Sequence, residues 1–175
     1  MQKPAFPFSS LGFTLLELLI TISVLAIVIA GAVIVLDPIS ALEKANDARR
    51  KSDLSQIQRA LEQFYQDHRK YPSNTSEYKI KDISNPDPDV GIGWGNPWLP
   101  YMGTLPKDPN DSKSYVYTRS DLNTYLLYAS LDRGGNDAQA CNPDGTACPS
   151  APTTGEPCGT GEVCNYGVSS PNVSP

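Results

Sequence analysis

Histidine occurs once in this chain, at His68, and no cysteine precedes Cys141. A catalytic constellation needs convergent acid, base or nucleophile groups, and His68 stands alone in a charged stretch with no serine or cysteine nucleophile motif beside it. It reads as a surface histidine. Positive charge is also scarce: 14 Lys and Arg against 19 Asp and Glu leave a net charge of −5 and a pI near 4.8. Nucleic acid, which is bound through a basic surface that displaces counterions, is not an expected partner. A phosphate-cradling glycine loop is missing too, because "GIGWG" at 91–95 follows no predicted strand and opens no helix. No enzyme site is visible, and no internal repeat.

Charge of either sign is absent from Leu18 to Leu36. Nineteen helical residues rise about 28 Å, close to the hydrocarbon thickness of about 30 Å, so one membrane span is expected. That leaves roughly 140 residues, rich in Pro, Gly, Ser, Asn and Asp, for one small loop-rich domain. Glu17 stands just before the uncharged run. A charge within a span costs about 2.5 kcal/mol or more on insertion scales, so this carboxylate needs a partner, a task or a route to water.

The leader "MQKPAFPFSSLG" precedes the apolar run, whereas a secretory signal carries its cleavage site after the apolar core. A cut after Gly12 would therefore keep the whole apolar segment. "GFTLLELL", with Gly12, Phe13, Thr14 and Glu17 ahead of an uninterrupted span, resembles the class III signal of type IV pilins and of type II secretion pseudopilins. Leu11 departs from the basic residue that commonly precedes the glycine. The resemblance implies cleavage between Gly12 and Phe13 by prepilin peptidase and N-methylation of Phe13. It also implies that Glu17 pairs with the Phe13 amine of a neighbouring subunit as helices bundle into a filament. In a low-dielectric bundle such a pair attracts strongly, and either member left alone is costly.

Past the span, Leu54, Ile57, Leu61 and Phe64 recur at spacings of three and four, while Arg50, Lys51, Asp53, Arg59, Glu62 and Gln66 fall on the other faces. This predicts an amphipathic helix covered by a soluble domain. Pro38 predicts a kink near residue 37, with Ser40 and Glu43 positioned to cap a restarted helix. Tyr71-Pro72 should end it. A proline- and glycine-rich loop region follows, in which Trp94, Trp98 and Tyr101 read as core aromatics rather than as a binding shelf. "SYVYT" at 114–118 and "TYLLYAS" at 124–130 predict an antiparallel hairpin.

Cys141, Cys148, Cys158 and Cys164 are spaced C-x6-C-x9-C-x5-C, without the close pairs and histidines of a zinc site. Two disulfides are expected, with connectivity open among three choices, and they place the tail in an oxidising space. Flanking charge does not orient the span: Lys44, Arg49, Arg50 and Lys51 are balanced by Asp37, Glu43, Asp47 and Asp53. The cysteines and the motif put the N-terminus inside. Asp132, Asp137 and Asp144 lie in a glycine-rich loop that reads first as a solvated acidic turn. Because major pseudopilins bind calcium in a comparable place, the resemblance adds calcium as its candidate ion, with Asp132 and Asp137 as ligands. No other cofactor is required.

The expected fold is α+β and pilin-like. A long N-terminal helix, half transmembrane and half amphipathic, packs on a small antiparallel sheet with a loop-rich, disulfide-tied C-terminal region. The expected divisions are a cleaved leader at 1–12, a filament-core helix at 13–36, its amphipathic extension at 37–71 and a head at 72–175. The resemblance implies a structural, non-enzymatic subunit of a homo-oligomeric filament. Its partners would be prepilin peptidase, an inner-membrane assembly platform and minor pseudopilins. It would sit as a single-pass protein of the cytoplasmic membrane with its head outside, then in a cell-surface or periplasmic filament. Pilus and secretion pseudopilus are both left open. The rival is a membrane-tethered module that binds a glycan or protein and does not polymerise; a tether has no need of Glu17 or of a fixed Gly12-Phe13 junction.

Overall fold

The computed structural model describes residues 12–87, 89–171 and 173–175. Of the expected leader, residues 1–11 lie outside the described residues. The chain forms two units, the first ending at Ala41 and the second running from Leu42 to Pro175.

In the first unit, helix α1 (Leu15–Leu36) opens at Thr14, whose hydroxyl accepts the Glu17 amide N–H at 3.2 Å. That bond satisfies one of the donors a helix start leaves without a partner. From Phe13 to Ala32 every side chain is exposed, as an all-round apolar helix must be when nothing in its own unit covers it. The Thr21 and Ser23 hydroxyls donate back to the Leu18 and Leu19 carbonyls, each at 2.8 Å, so neither presents an unsatisfied donor to an apolar medium.

Helix α1 ends at Asp37, which adopts φ 38°, ψ 71°, and α2 (Pro38–His68) starts at once. The expected kink is thus a full break. Its cap is Asp37, whose carboxylate accepts the Ser40 N–H at 3.4 Å, and not the Ser40–Glu43 box. Proline suits the first helical position, where its missing N–H costs nothing, and this puts Ser40 inside the first turn.

Within the second unit, α2 buries Leu54, Ile57, Ala60, Leu61 and Phe64, the stripe read from the sequence. It also buries Asp47, Arg50 and Asp53, and Arg50 and Asp53 were expected on the polar faces. The reason is geometric. Positions 47, 50, 54, 57, 61 and 64 continue one spacing of three and four, so the covered face runs on into charged residues. Arg69, at φ 56°, stops the helix, with its N–H donating to the Tyr65 carbonyl at 2.8 Å.

Strands β1 (Val116–Asp121), β2 (Thr124–Ala129) and β3 (Tyr166–Ser169) form an antiparallel sheet in the order β1-β2-β3. The expected hairpin is present, with Val116 opposite Tyr128 and a two-residue turn closed by the Asp121–Thr124 pair. Its first strand begins two residues later than read, and β3 was not foreseen. Alternation gives the sheet two buried faces. Tyr117, Tyr125, Leu127 and Ala129 join the α2 stripe in one cluster, with Trp98 buried and Trp94 and Tyr101 packed against it. Val116, Leu126 and Tyr128 face a second cluster built on Cys148, Ala151, Cys158 and Cys164. The tail is therefore a packed layer on the sheet.

Candidate assembly site and the charged seam

Gly12 and Phe13 lie just ahead of α1, and Glu17 falls in its first turn. Phe13 is 80% exposed, and Glu17 is exposed one turn further on. Among the described residues the salt bridges all lie between Asp47 and Glu162, and none involves Glu17. The helix start fixes the Glu17 backbone through its N–H bond to Thr14, and the side chain is exposed.

The head carries the opposite arrangement. Arg50 is fully buried, with Nη1 donating to Asp47 at 2.8 Å and to Asp132 Oδ2 at 2.7 Å, and Nε and Nη2 donating to Asp108 at 2.9 and 3.1 Å. A planar guanidinium has the donors to serve three carboxylates at once. Burial alone would lower its pKa, but the hydrogen bonds from Arg50 to Asp108 and Asp132 outweigh burial and raise it above the ordinary value. Asp47 also accepts the backbone N–H groups of Asp132 and Arg133, at 2.8 and 3.0 Å, which ties the chain leaving β2 to α2. Nearby, buried Asp53 accepts the Tyr115 hydroxyl at 2.8 Å, and burial pushes its carboxyl upward.

Asp132 and Asp137, the expected calcium ligands, both lie on this seam. Burial pushes each carboxyl upward, yet their cationic partners win and hold them below the usual carboxylate range: Lys113 and Arg50 at Asp132, Lys51 at Asp137. Lys51 Nζ donates to the two Asp137 oxygens at 2.7 and 2.6 Å and to Gln139 at 2.9 Å. Among the described residues no three or more His, Cys, Asp and Glu side chains gather as a metal-binding group. Sequence reasoning missed Arg50, Asp108, Lys113 and Glu162 as a set, since they are scattered along the chain. The continuation of the helix spacing through Asp47 and Arg50 was the one available signal.

The cysteines form two bridges, Cys141–Cys148 and Cys158–Cys164, each joining neighbours in sequence. His68 pairs with the Tyr101 hydroxyl at 2.9 Å and lies on the Phe64 ring, 4.2 Å between centroids.

Comparison with known proteins bears on both units. The prokaryotic N-terminal methylation motif matches residues 8–33, which spans the Gly12-Phe13 junction and Glu17. The family described as type II secretion system (T2SS), protein G matches residues 38–144, more than half of the chain. The chain belongs to the protein G family. A relative in that family, the type II secretion system core protein G of Pseudomonas aeruginosa, is 29% identical over 136 residues, covering 74% of this chain and 90% of the relative. No solved structure matches. The protein G family is a family of structural pseudopilins, so the chain is a pseudopilin subunit of a secretion or pilus filament, anchored by an apolar helix. The family match stops at residue 144, ahead of Cys148, the Cys158–Cys164 loop and β3.

Proposed function

We propose that this chain is a non-catalytic filament subunit of a type II secretion machine, made as a precursor, cut between Gly12 and Phe13 and N-methylated on Phe13. Residues 13–36 form the membrane and filament-core helix, 37–71 its extension and 72–175 the head. Before assembly the subunit crosses the cytoplasmic membrane once with its head outside; afterwards α1 is withdrawn into a bundle of copies. Its partners are copies of itself, prepilin peptidase, minor pseudopilins and the inner-membrane assembly platform.

The observation that carries this reading is a single one. An otherwise uncharged apolar helix bears one carboxylate, Glu17, the fifth residue after the junction at which a new amine would appear. In the filament, Glu17 of one subunit meets the Phe13 amine of the next, which fixes register because any other register leaves both charges unpaired in an apolar bundle. The motif match over residues 8–33 supports it. Intact-mass measurement of the membrane-extracted chain tests the processing step. A mass beginning at Phe13 with one added methyl is expected; a chain still carrying Met1 defeats the proposal.

A further inference from the structure

Lys113 is a buried lysine with its ammonium inside a ring of oxygen atoms. Nζ lies 2.6 Å from Asp132 Oδ1, 3.1 Å from Glu162 Oε2, and 3.3 Å from both the carbonyl and the hydroxyl of Ser130, and its side chain is 4% exposed. Two carboxylates, a backbone carbonyl and a hydroxyl are the ligand types that a hard divalent cation selects. The separations are those of hydrogen bonds from an ammonium, longer than the roughly 2.3–2.6 Å of calcium–oxygen contacts. Asp132 Oδ2 is taken by Arg50, and both oxygens of Asp137 are taken by Lys51. Every carboxylate oxygen of the two candidate ligands thus already faces a side-chain cation. These residues do not fit a resident metal ion.

We propose that Lys113, assisted by Lys51, is a built-in replacement for a divalent cation, so that the head holds its tail layer without metal. Two ammonium groups carry the same charge as one divalent ion, but they are tethered and present at unit occupancy whatever the ion concentration outside the cell. The ring draws on two segments, the chain after β2 and the loop closed by Cys158–Cys164, so the ammonium joins them as a bridging ion would. The loop is shaped for this approach. Gly159 sits at φ 121° against the backbone of Ser112 and Lys113, where a Cβ would overlap the Ser112 carbonyl oxygen, and the Ser114 N–H donates to the Cys158 carbonyl at 3.0 Å. A metal entering the ring would have to expel a buried ammonium and leave it unpaired, which opposes binding.

The test uses the full chain in detergent micelles, with head unfolding followed by near-ultraviolet circular dichroism in chelator and in millimolar calcium. The wild-type midpoint is expected to be the same in both; a midpoint that rises with calcium overturns the proposal. Lys113→Ala, which empties the ring, is expected to unfold several degrees lower in chelator, to bind one calcium ion per chain by equilibrium dialysis, and to regain part of the loss in calcium. A Lys113→Ala chain that folds but binds no calcium overturns it. Lys113→Met keeps the stem and removes the charge, so it decides the matter if the alanine variant fails to fold. It is expected to be destabilised and unresponsive to calcium, and wild-type stability in Lys113→Met would show that packing rather than charge holds the tail. None of these outcomes depends on whether the chain polymerises.

Discussion

In α1 one carboxylate, Glu17, stands exposed and unpaired among the described residues, in a helix whose apolar side chains from Phe13 to Ala32 are all uncovered. In the head, Arg50 is fully buried against three aspartates, and the apolar stripe of α2 is covered by the sheet. Both regions place charge beside apolar surface. The head compensates its charges from within, while among the described residues nothing compensates the charge of α1 or covers its apolar surface. A region that is physically incomplete alone is the one to suspect of assembly.

Removing the carboxylate from α1 is the strongest way to break this contrast. Glu17→Gln keeps size and hydrogen-bonding capacity but, under the proposed pairing, would leave a neighbour's amine unpaired in an apolar bundle, a cost on the order of several kcal/mol. Filament yield should fall by at least about a hundredfold. Membrane insertion and head folding should be unchanged, because α1 loses a charge from its span and the head loses nothing. Sheared filaments weighed against membrane-retained monomer give the readout. Equal filament yield in the variant and the wild type would mean that Glu17 has no partner, as the tether reading requires.

The complementary change is Arg50→Met, which fills the space but leaves Asp47 and Asp108 without their cation and Asp132 with Lys113 alone. Breaking a buried pair from one side costs about 3–5 kcal/mol, much of the stability of a small head. Near-ultraviolet circular dichroism in micelles should show an early loss of head structure, while the far-ultraviolet signal of α1 persists at the same temperature. Simultaneous loss of both would deny that the head is a separate folding unit.

How far these two regions could be read in advance follows the same division. The apolar run of α1, the Leu54–Phe64 stripe and the β1–β2 hairpin announce themselves by local periodicity, and the structure has all three. Arg50 and Asp53 were assigned to the solvent because charge usually marks an exposed face. Their partners, Asp108, Asp132 and Tyr115, lie 58 or more residues along the chain and could not be counted as compensation. Strand β3 is only four residues long and contains Gly167, so neither alternation nor β-propensity marks it. It is held by pairing with β2 and by the Ser170 N–H donated to the Tyr125 carbonyl at 3.2 Å. The cysteines told that the tail was tied down, but not that it covers the second face of the sheet.

Acid should act on the head. Asp132 and Asp137 have folded pKa values below the unfolded ones, so their contribution is fully present above the ordinary carboxylate range and is lost as pH falls through the depressed values. Asp53 is shifted upward by burial, and its effect has the other sign: protonation relieves it as pH falls. The two ion-paired groups outnumber it. Head midpoints should be flat near neutrality and decline below about pH 4, and Asp53→Asn should make the decline steeper. A midpoint that rises on acidification would mean that the seam is held by neutral hydrogen bonds.

The smallest effect is expected at Asp37, where α1 ends. Asp37→Ala removes the carboxylate that accepts the Ser40 N–H and puts a side chain with no local hydrogen bond at φ 38°. Loss of the cap and the left-handed backbone cost about 1 kcal/mol each. Because Asp37 is exposed and belongs to the first unit, that cost should be confined to the start of α2. Hydrogen exchange at the Ser40 and Ala41 amides should speed up by about tenfold or more, with the head midpoint unmoved. If the head midpoint falls as well, the break at Asp37 is coupled to the head, and the division into an incomplete helix and a self-sufficient head would have to be redrawn at a later residue.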